Sequence, residues 1–153
     1  MSAIVGHNLF ILGGWDGFEC LSSVEKSTSL EDPEPQLCLL PRQNSLLDKI
    51  KNGCCVYDDF SRRILIIGGW TEKKTSNSVL AYDPETNNCD FAGLFLPKSI
   101  EAHAVVKVES QVFIFGGFDS FGVTDTIMRL DLVKRQAHMM EIKLRVAREN
   151  HTC

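Results

Sequence analysis

The 153-residue sequence contains no long apolar stretch and no strongly basic segment. No apolar run approaches the roughly 20 residues that cross a bilayer. The N-terminus lacks the cationic start and extended apolar region of a secretory signal. The formal net charge is −4, with lysines and arginines in short, scattered clusters. We therefore expect a cytoplasmic protein with neither nucleic acid nor membrane as a partner.

The sequence also lacks any C-x-x-C pair, the spacing that lets two thiolates reach one metal ion from a tight turn. It does contain six cysteines: Cys20, Cys38, Cys54, Cys55, Cys89 and Cys153. Disulfides or a zinc site are the alternatives, but the spacing favours free thiols and no metal site. In a reducing compartment such thiols behave as small apolar side chains.

Motifs of catalysis are missing as well. There is no Gly-x-Ser-x-Gly elbow, no phosphate-binding loop and no paired-carboxylate motif. We therefore expect no cofactor and no enzymatic activity.

What the sequence does contain is a repeat. Three apolar runs, Leu9–Leu12, Ile64–Ile67 and Val112–Phe115, each end in a Gly-Gly pair. An unbroken apolar run is typical of a strand that is buried on both faces. The pairs begin 55 and 48 residues apart, which is in the range of a kelch-type propeller blade.

Turn signals divide each repeat into four short strands, so an all-β fold is predicted. The approximate repeats are 1–41, 42–97 and 98–147, and residues 148–153 begin a further one. The connector Arg42–Asn52 has apolar residues spaced for one helical turn over Leu46 to Ile50. The predicted strands are Ser2–Val5, Leu9–Leu12, Ser22–Lys26, Leu37–Leu40, Gly53–Tyr57, Arg63–Ile67, Ser78–Asp83, Cys89–Leu96, Ala102–Val108, Val112–Phe115, Thr126–Leu132 and His138–Lys143.

Three motifs make the sequence resemble the kelch-repeat family, of the type that accompanies BTB domains, over nearly its whole length. They are the apolar run with its Gly-Gly pair, the loop Trp15–Gly17, and the strand and turn Val79–Asn87. Arg148 and His151 also match the Arg-x-x-His that often opens a kelch repeat. The tryptophan typical of the family is replaced in the second and third repeats, which implies a differently packed blade core.

The resemblance implies four-stranded antiparallel blades arranged around an axis. Closed propellers have about four to eight blades, whereas three are encoded here. Each end blade would then expose an apolar face. The chain is either part of a longer protein, which we favour, or two copies assemble as a homo-oligomer to complete the ring.

Loops after the Gly-Gly pairs are the predicted contact sites, because propeller loops cluster at the ends of the axis on a rigid frame. The loops are Trp15–Cys20, Trp70–Asn77 and Phe118–Val123. Their first aromatic residues recur in every repeat, which favours packing between blades over partner contact. The better contact candidates are Phe18 and Phe121, which lie further along their loops. The whole predicted partner-binding set is Trp15, Asp16, Phe18, Trp70, Lys73, Lys74, Phe118, Asp119 and Phe121.

By resemblance, the expected function is protein–protein interaction without chemistry. Its commonest forms are substrate recognition for a cullin-RING ubiquitin ligase, with ligase components bound through a BTB domain outside this sequence, and actin binding. The alternative is a sugar-modifying or copper-oxidase-like propeller enzyme. His103 and His151 recur at one repeat position, and Tyr57 and Tyr82 occupy positions typical of structural residues, so the sequence favours the non-enzymatic interpretation.

Overall fold

The computed structural model describes residues 1–152, and its main elements are three four-stranded antiparallel sheets. Blade 1 contains β1 (Ser2–Val5), β2 (Asn8–Trp15), β3 (Cys20–Ser27) and β4 (Leu37–Leu39). A 3-10 helix (Arg42–Asn44) and the short β5 (Ile50–Lys51) follow. Blade 2 contains β6 (Cys54–Asp58), β7 (Arg63–Ile67), β9 (Ser78–Asp83) and β10 (Asn88–Phe95), with β8 (Trp70–Thr71) between β7 and β9.

Blade 3 contains β11 (Ala104–Val108), β12 (Gln111–Phe115), β15 (Thr126–Asp131) and β16 (Gln136–Lys143). A small hairpin of β13 (Phe118–Asp119) and β14 (Gly122–Val123) precedes β15. In every blade the strands are hydrogen-bonded in chain order. The predicted all-β fold of four-stranded antiparallel blades is confirmed. Within residues 1–152, no helix is long and apolar enough to span a bilayer.

The connector between blades 1 and 2 differs from the prediction. Its single helical turn lies at Arg42–Asn44, and the predicted turn over Leu46 to Ile50 is absent. Leu46 instead donates its backbone N–H to the Ser22 carbonyl at 2.8 Å, and Ile50 pairs with Thr71. Both apolar side chains are buried in the core between the blades. Bonding to neighbouring strands therefore keeps this segment extended.

The central strand of blade 2 explains the unbroken apolar runs. In β7, Ile64 and Ile66 lie in the core shared with blade 1. Leu65 and Ile67 point the other way, into the core shared with blade 3. Because successive side chains of a strand alternate between faces, an inner strand between two blades needs an apolar residue at every position.

The Gly-Gly pairs are required by close backbone packing. Gly68 has a φ of +58°, and a Cβ there would lie 2.5 Å from the Ile100 carbonyl oxygen. A Cβ on Gly116 would lie 2.5 Å from the Arg148 carbonyl oxygen. In both cases the backbone segment that precedes the next repeat runs across the glycine, so only a residue without a side chain fits.

Candidate functional site

The first loop after a Gly-Gly pair is a tight turn closed by an aspartate. The Asp16 carboxylate accepts backbone N–H groups from Phe18 and Glu19, each at 2.8 Å. Hydrogen bonds from Glu19 and then Phe18 lower the pKa of Asp16 below its ordinary value. The turn leaves the Phe18 ring 91% exposed at its tip, so an apolar side chain is presented to solvent on an ordered backbone.

The second loop is held in shape by a threonine. The Thr71 hydroxyl donates to the Lys74 carbonyl at 3.0 Å and accepts the backbone N–H of Lys74 at 3.2 Å. Trp70, at the start of the loop, is half-buried and pairs with Lys51 of β5. Lys73 and Lys74 are exposed, and their side chains form no ion pair within residues 1–152. The loop therefore presents two uncompensated positive charges.

The third loop is the β13–β14 hairpin, and a buried aspartate organises it. Asp119 is 7% exposed, accepts the backbone N–H of Phe121 at 2.8 Å and forms an ion pair with Lys98. Burial acts to raise the pKa of Asp119, but hydrogen bonds from Lys98 and Phe121 outweigh it and keep the pKa below its ordinary value. Phe121 is 99% exposed at the tip.

Two lysine side chains join the first loop to the second. Lys49 forms ion pairs with Glu19 of the first loop and Glu72 of the second. Hydrogen bonds to Glu19 and Glu72 raise the pKa of Lys49. Lys51 lies over the Trp15 ring, with its Nζ 4.1 Å from the ring centroid, a typical cation–π contact. The residues that precede blade 2 therefore join the first and second loops.

The second and third loops enclose a groove of about 600 Å³. We call it the rim groove. Aromatic rings and lysine side chains predominate in its lining, and six of its residues belong to the predicted partner-binding set: Trp70, Lys73, Lys74, Phe118, Asp119 and Phe121. The predicted residues of the first loop, Trp15, Asp16 and Phe18, lie outside this groove. Asp119 is placed beneath its surface, where it holds the hairpin.

The sequence did not reveal the role of Lys98 or a second cleft at the opposite end of the strands. Lys98 lines the rim groove and fixes Asp119, but its position after Pro97 carries no motif. A second cleft, of about 400 Å³, lies between blades 2 and 3 and includes Phe60 and Val133. Phe60 stands in the β6–β7 turn, at the opposite end of the strands, and is 89% exposed. An apolar residue at the tip of a polar turn was the available signal.

The recurring histidines pack against the Gly-Gly pairs. A Cβ on Gly68 would lie 3.1 Å from His103 Cε1, and one on Gly116 would lie 3.0 Å from His151 Cε1. Neither ring nitrogen of His103 has a hydrogen-bond partner within the described chain. Burial, followed by the nearby His151, lowers the pKa of His103 to about 4. Each ring thus covers the glycine turn of the preceding repeat.

Among residues 1–152, no group of three or more His, Cys, Asp or Glu side chains is arranged to hold a metal ion. Cys20, Cys38, Cys55 and Cys89 form no disulfide. Of the other two predicted thiols, Cys54 donates its S–H to the His103 carbonyl at 2.8 Å, and Cys153 lies outside the described residues.

Comparisons with known proteins agree with this geometry. Residues 60–92 match the family profile described as the Kelch motif, which spans the β6–β7 turn to β10 and contains the strand and turn Val79–Asn87. The solved structure titled "Structure of YjhT" superposes with a TM-score of 0.77 at 15% sequence identity, over 91% of this chain and 50% of that chain. This chain therefore spans half the length of that structure. No curated protein matches the sequence. The kelch resemblance is thus confirmed through the motif at residues 60–92, and most of the chain shares the fold of that solved structure.

Proposed function

We propose that this chain is a protein-interaction module that binds its partner at the rim and performs no chemistry itself. The observation that carries the proposal is the rim groove, which brings two predicted loops together around exposed aromatic and lysine side chains. Aromatic side chains dominate binding energy at protein interfaces, and loops on a rigid frame commonly carry binding function.

The electrostatics of the rim support the same proposal. The chain has a net charge of −4, yet Lys73 and Lys74 stand unpaired beside Phe121. Glu72, their neighbour, is already held by Lys49. A locally positive, partly apolar surface on an acidic protein steers and orients a complementary protein surface.

Site-specific photocrosslinking in cells tests the proposal. A benzophenone amino acid at position 121 should capture a protein partner, because that side chain is 99% exposed beside the groove. The matched control places the same group at position 60, which is 89% exposed at the opposite rim. Partner capture from position 60 and not from position 121 would contradict a binding site at this rim.

Two specific partner roles follow from the kelch resemblance, and each has a direct measurement. A substrate-recognition role in a cullin-RING ubiquitin ligase requires the full-length protein to copurify with a cullin. An actin-binding role requires the chain to sediment with actin filaments. Substituting both Lys73 and Lys74 by glutamate should abolish sedimentation if actin occupies the rim, because the filament surface would meet reversed charge.

A further inference from the structure

The second cleft, of about 400 Å³, is lined by both blade 2 and blade 3. Phe60 and Phe91 line it from blade 2, and Leu132 and Val133, which follow β15, line it from blade 3. Leu65 also lines it and belongs to the core that the two blades share. We call it the inter-blade cleft. Because both of its sides are formed by blades of the described chain, its existence depends only on how these two blades pack.

The inter-blade cleft is a consequence of smaller side chains than those between blades 1 and 2. Phe10 and Tyr82 are both buried between blades 1 and 2, where their rings pack edge to face with centroids 6.1 Å apart. The same repeat positions between blades 2 and 3 are held by Leu65 and Leu130. This interface therefore has no ring at either of the two positions that are aromatic in its counterpart.

A third residue of the interface is reduced in the same way. Lys26 is paired in register with Phe10, and its Nζ lies 5.2 Å from the centroid of that ring. The equivalent residue of blade 2 is Ala81, which pairs with Leu65 and lines the cleft. The inter-blade cleft thus occupies space that an aromatic ring and a long side chain fill in the preceding interface.

Two arginines also line the inter-blade cleft. Arg135 donates to the Ala92 carbonyl, which holds it against β10 of blade 2, and it forms no ion pair within residues 1–152. The Arg63 guanidinium lies 3.4 Å from the Asp90 carboxylate in a partly exposed pair, and exposed pairs contribute little stability. Both positive charges are therefore available to an anion.

Asp58 is the one carboxylate among the described residues that line the cleft. It is 6% exposed, and its oxygens accept the backbone N–H groups of Phe60 and Ser61 at 3.3 and 3.2 Å and the Ser61 hydroxyl at 2.6 Å. Its charge is stabilised within the β6–β7 turn. Two guanidinium groups against one carboxylate leave the lining positive.

We propose that the inter-blade cleft binds a small ligand that carries an aromatic ring close to a carboxylate. The ring takes the space between the blades that is left by Leu65 and Ala81, and Arg63 and Arg135 bind the carboxylate through charge-assisted hydrogen bonds. A cleft of this size, mainly apolar with a few charged groups, is typical of small-molecule sites. It lies at the opposite end of the strands from the rim groove, so it does not depend on the proposed protein interaction.

An NMR titration with 3-phenylpropionate tests the proposal. The backbone amide signals of Ala92 and Val133 should shift saturably, with a Kd of about 1 mM or below for a ligand of this size. The matched control, 3-phenylpropanamide, has the same ring without the charge and should bind about tenfold more weakly. The absence of saturable shifts at the cleft up to about 10 mM acid would overturn the proposal. Equal affinities for the acid and the amide would also overturn it, because the carboxylate would then make no specific contact.

Arginine variants test the anionic part of the site. Arg135→Gln should weaken 3-phenylpropionate binding by about tenfold and leave 3-phenylpropanamide binding unchanged, because only the acid uses the positive charge. Arg62→Gln is the matched control: it removes an exposed charge that pairs with Glu85 in the same β6–β7 turn but does not line the cleft. It should leave both affinities unchanged. Equal losses of acid binding in the two variants would overturn the site, since they would reflect net charge alone.

Two further variants test the position of the ring. Leu130→Tyr introduces the residue that blade 2 has at Tyr82 and should weaken both probes by about tenfold or more, because its ring fills the ligand's space. Phe91→Ala removes a side chain that is 61% exposed, so the fold is retained, and it should weaken both probes by about threefold. The amide spectrum of each free variant reports whether it is folded. Unchanged affinities in Phe91→Ala and in folded Leu130→Tyr would overturn the proposal.

Discussion

Lys98 and Asp119 form an ion pair directly beneath the rim groove, and Lys98 also donates to the Thr124 hydroxyl at 3.3 Å. The pair joins the segment that precedes blade 3 to the β13–β14 hairpin. Asp119 is almost wholly buried, so its charge depends on Lys98 and on the Phe121 N–H. The exposed apolar tip of this loop is therefore positioned by a buried charge.

Replacing Asp119 with asparagine should destabilise the chain by about 2 kcal/mol, because the Lys98 ammonium would lose its charged partner in a partly buried site. Urea unfolding at neutral pH measures this change. The control is Asp59→Asn, which removes the solvent-exposed carboxylate that pairs with Lys107 and should cost less than Asp119→Asn, because water screens an exposed charge. Equal losses for the two variants would mean that the Asp119 pair contributes no more than a surface pair.

Asp119 illustrates which features the sequence could and could not predict. The spacing of the Gly-Gly pairs located the three blades that residues 1–152 form, because unbroken apolar runs and turn residues are local signals. The burial of Asp119 could not be predicted, since it depends on Lys98, which is 21 residues away in the chain. Likewise, the connector's apolar spacing suggested a helical turn over Leu46 to Ile50. Instead, the connector stays extended because it pairs with β8 and packs against blade 1. Local sequence does not encode either contact.

The candidate site was predictable to a similar degree. Equivalent repeat positions predicted loops that share a rim, and Lys49 does link two of them. Which loops form a common groove depends on the angle between neighbouring blades. That angle is set by packing in the cores. The sequence therefore could not predict that Phe18 lies outside the rim groove.

Phe18→Ala and Phe121→Ala should weaken partner binding without lowering the melting temperature. Both rings are more than nine-tenths exposed, so truncation removes contact area for a partner while leaving the core intact. Differential scanning fluorimetry reports the melting temperature, and partner capture by a benzophenone amino acid at position 73, which is exposed beside the same groove, reports binding. Phe60→Ala, at the opposite rim, is the control and should change neither. A fall in melting temperature for Phe121→Ala would instead place that ring in the fold's own packing.

Gly68→Ala should destabilise the chain by about 3 kcal/mol or more. The new Cβ would meet the Ile100 carbonyl oxygen at 2.5 Å, and the residue would keep a φ of +58°. Gly6→Ala is a matched control, because Gly6 has a φ of +57° but no atom within 4 Å of a Cβ. It should cost about 1 kcal/mol through backbone strain alone. Equal losses in urea unfolding would show that the contact with the Ile100 segment contributes nothing to the glycine requirement.

His103 should make the stability of the chain depend on pH. Its pKa is lowered from 6.5 to about 4 in the folded state, by burial and then by His151. The unfolded chain therefore binds a proton at higher pH than the folded chain does. Stability from this group is complete above about pH 6.5 and is lost progressively as the pH falls to about 4, by about 3 kcal/mol in total.

Comparison with His103→Leu isolates this contribution, because carboxylates also titrate in the acidic part of the range. Leucine fills similar space and cannot be protonated, so the variant should lose less stability than the wild type as the pH falls from about 6.5 to about 4. Urea unfolding at a series of pH values measures the difference. His138→Leu, on the exposed strand β16, should follow the wild-type profile. Parallel profiles for the wild type and His103→Leu would mean that His103 reaches solvent and titrates normally in the folded state.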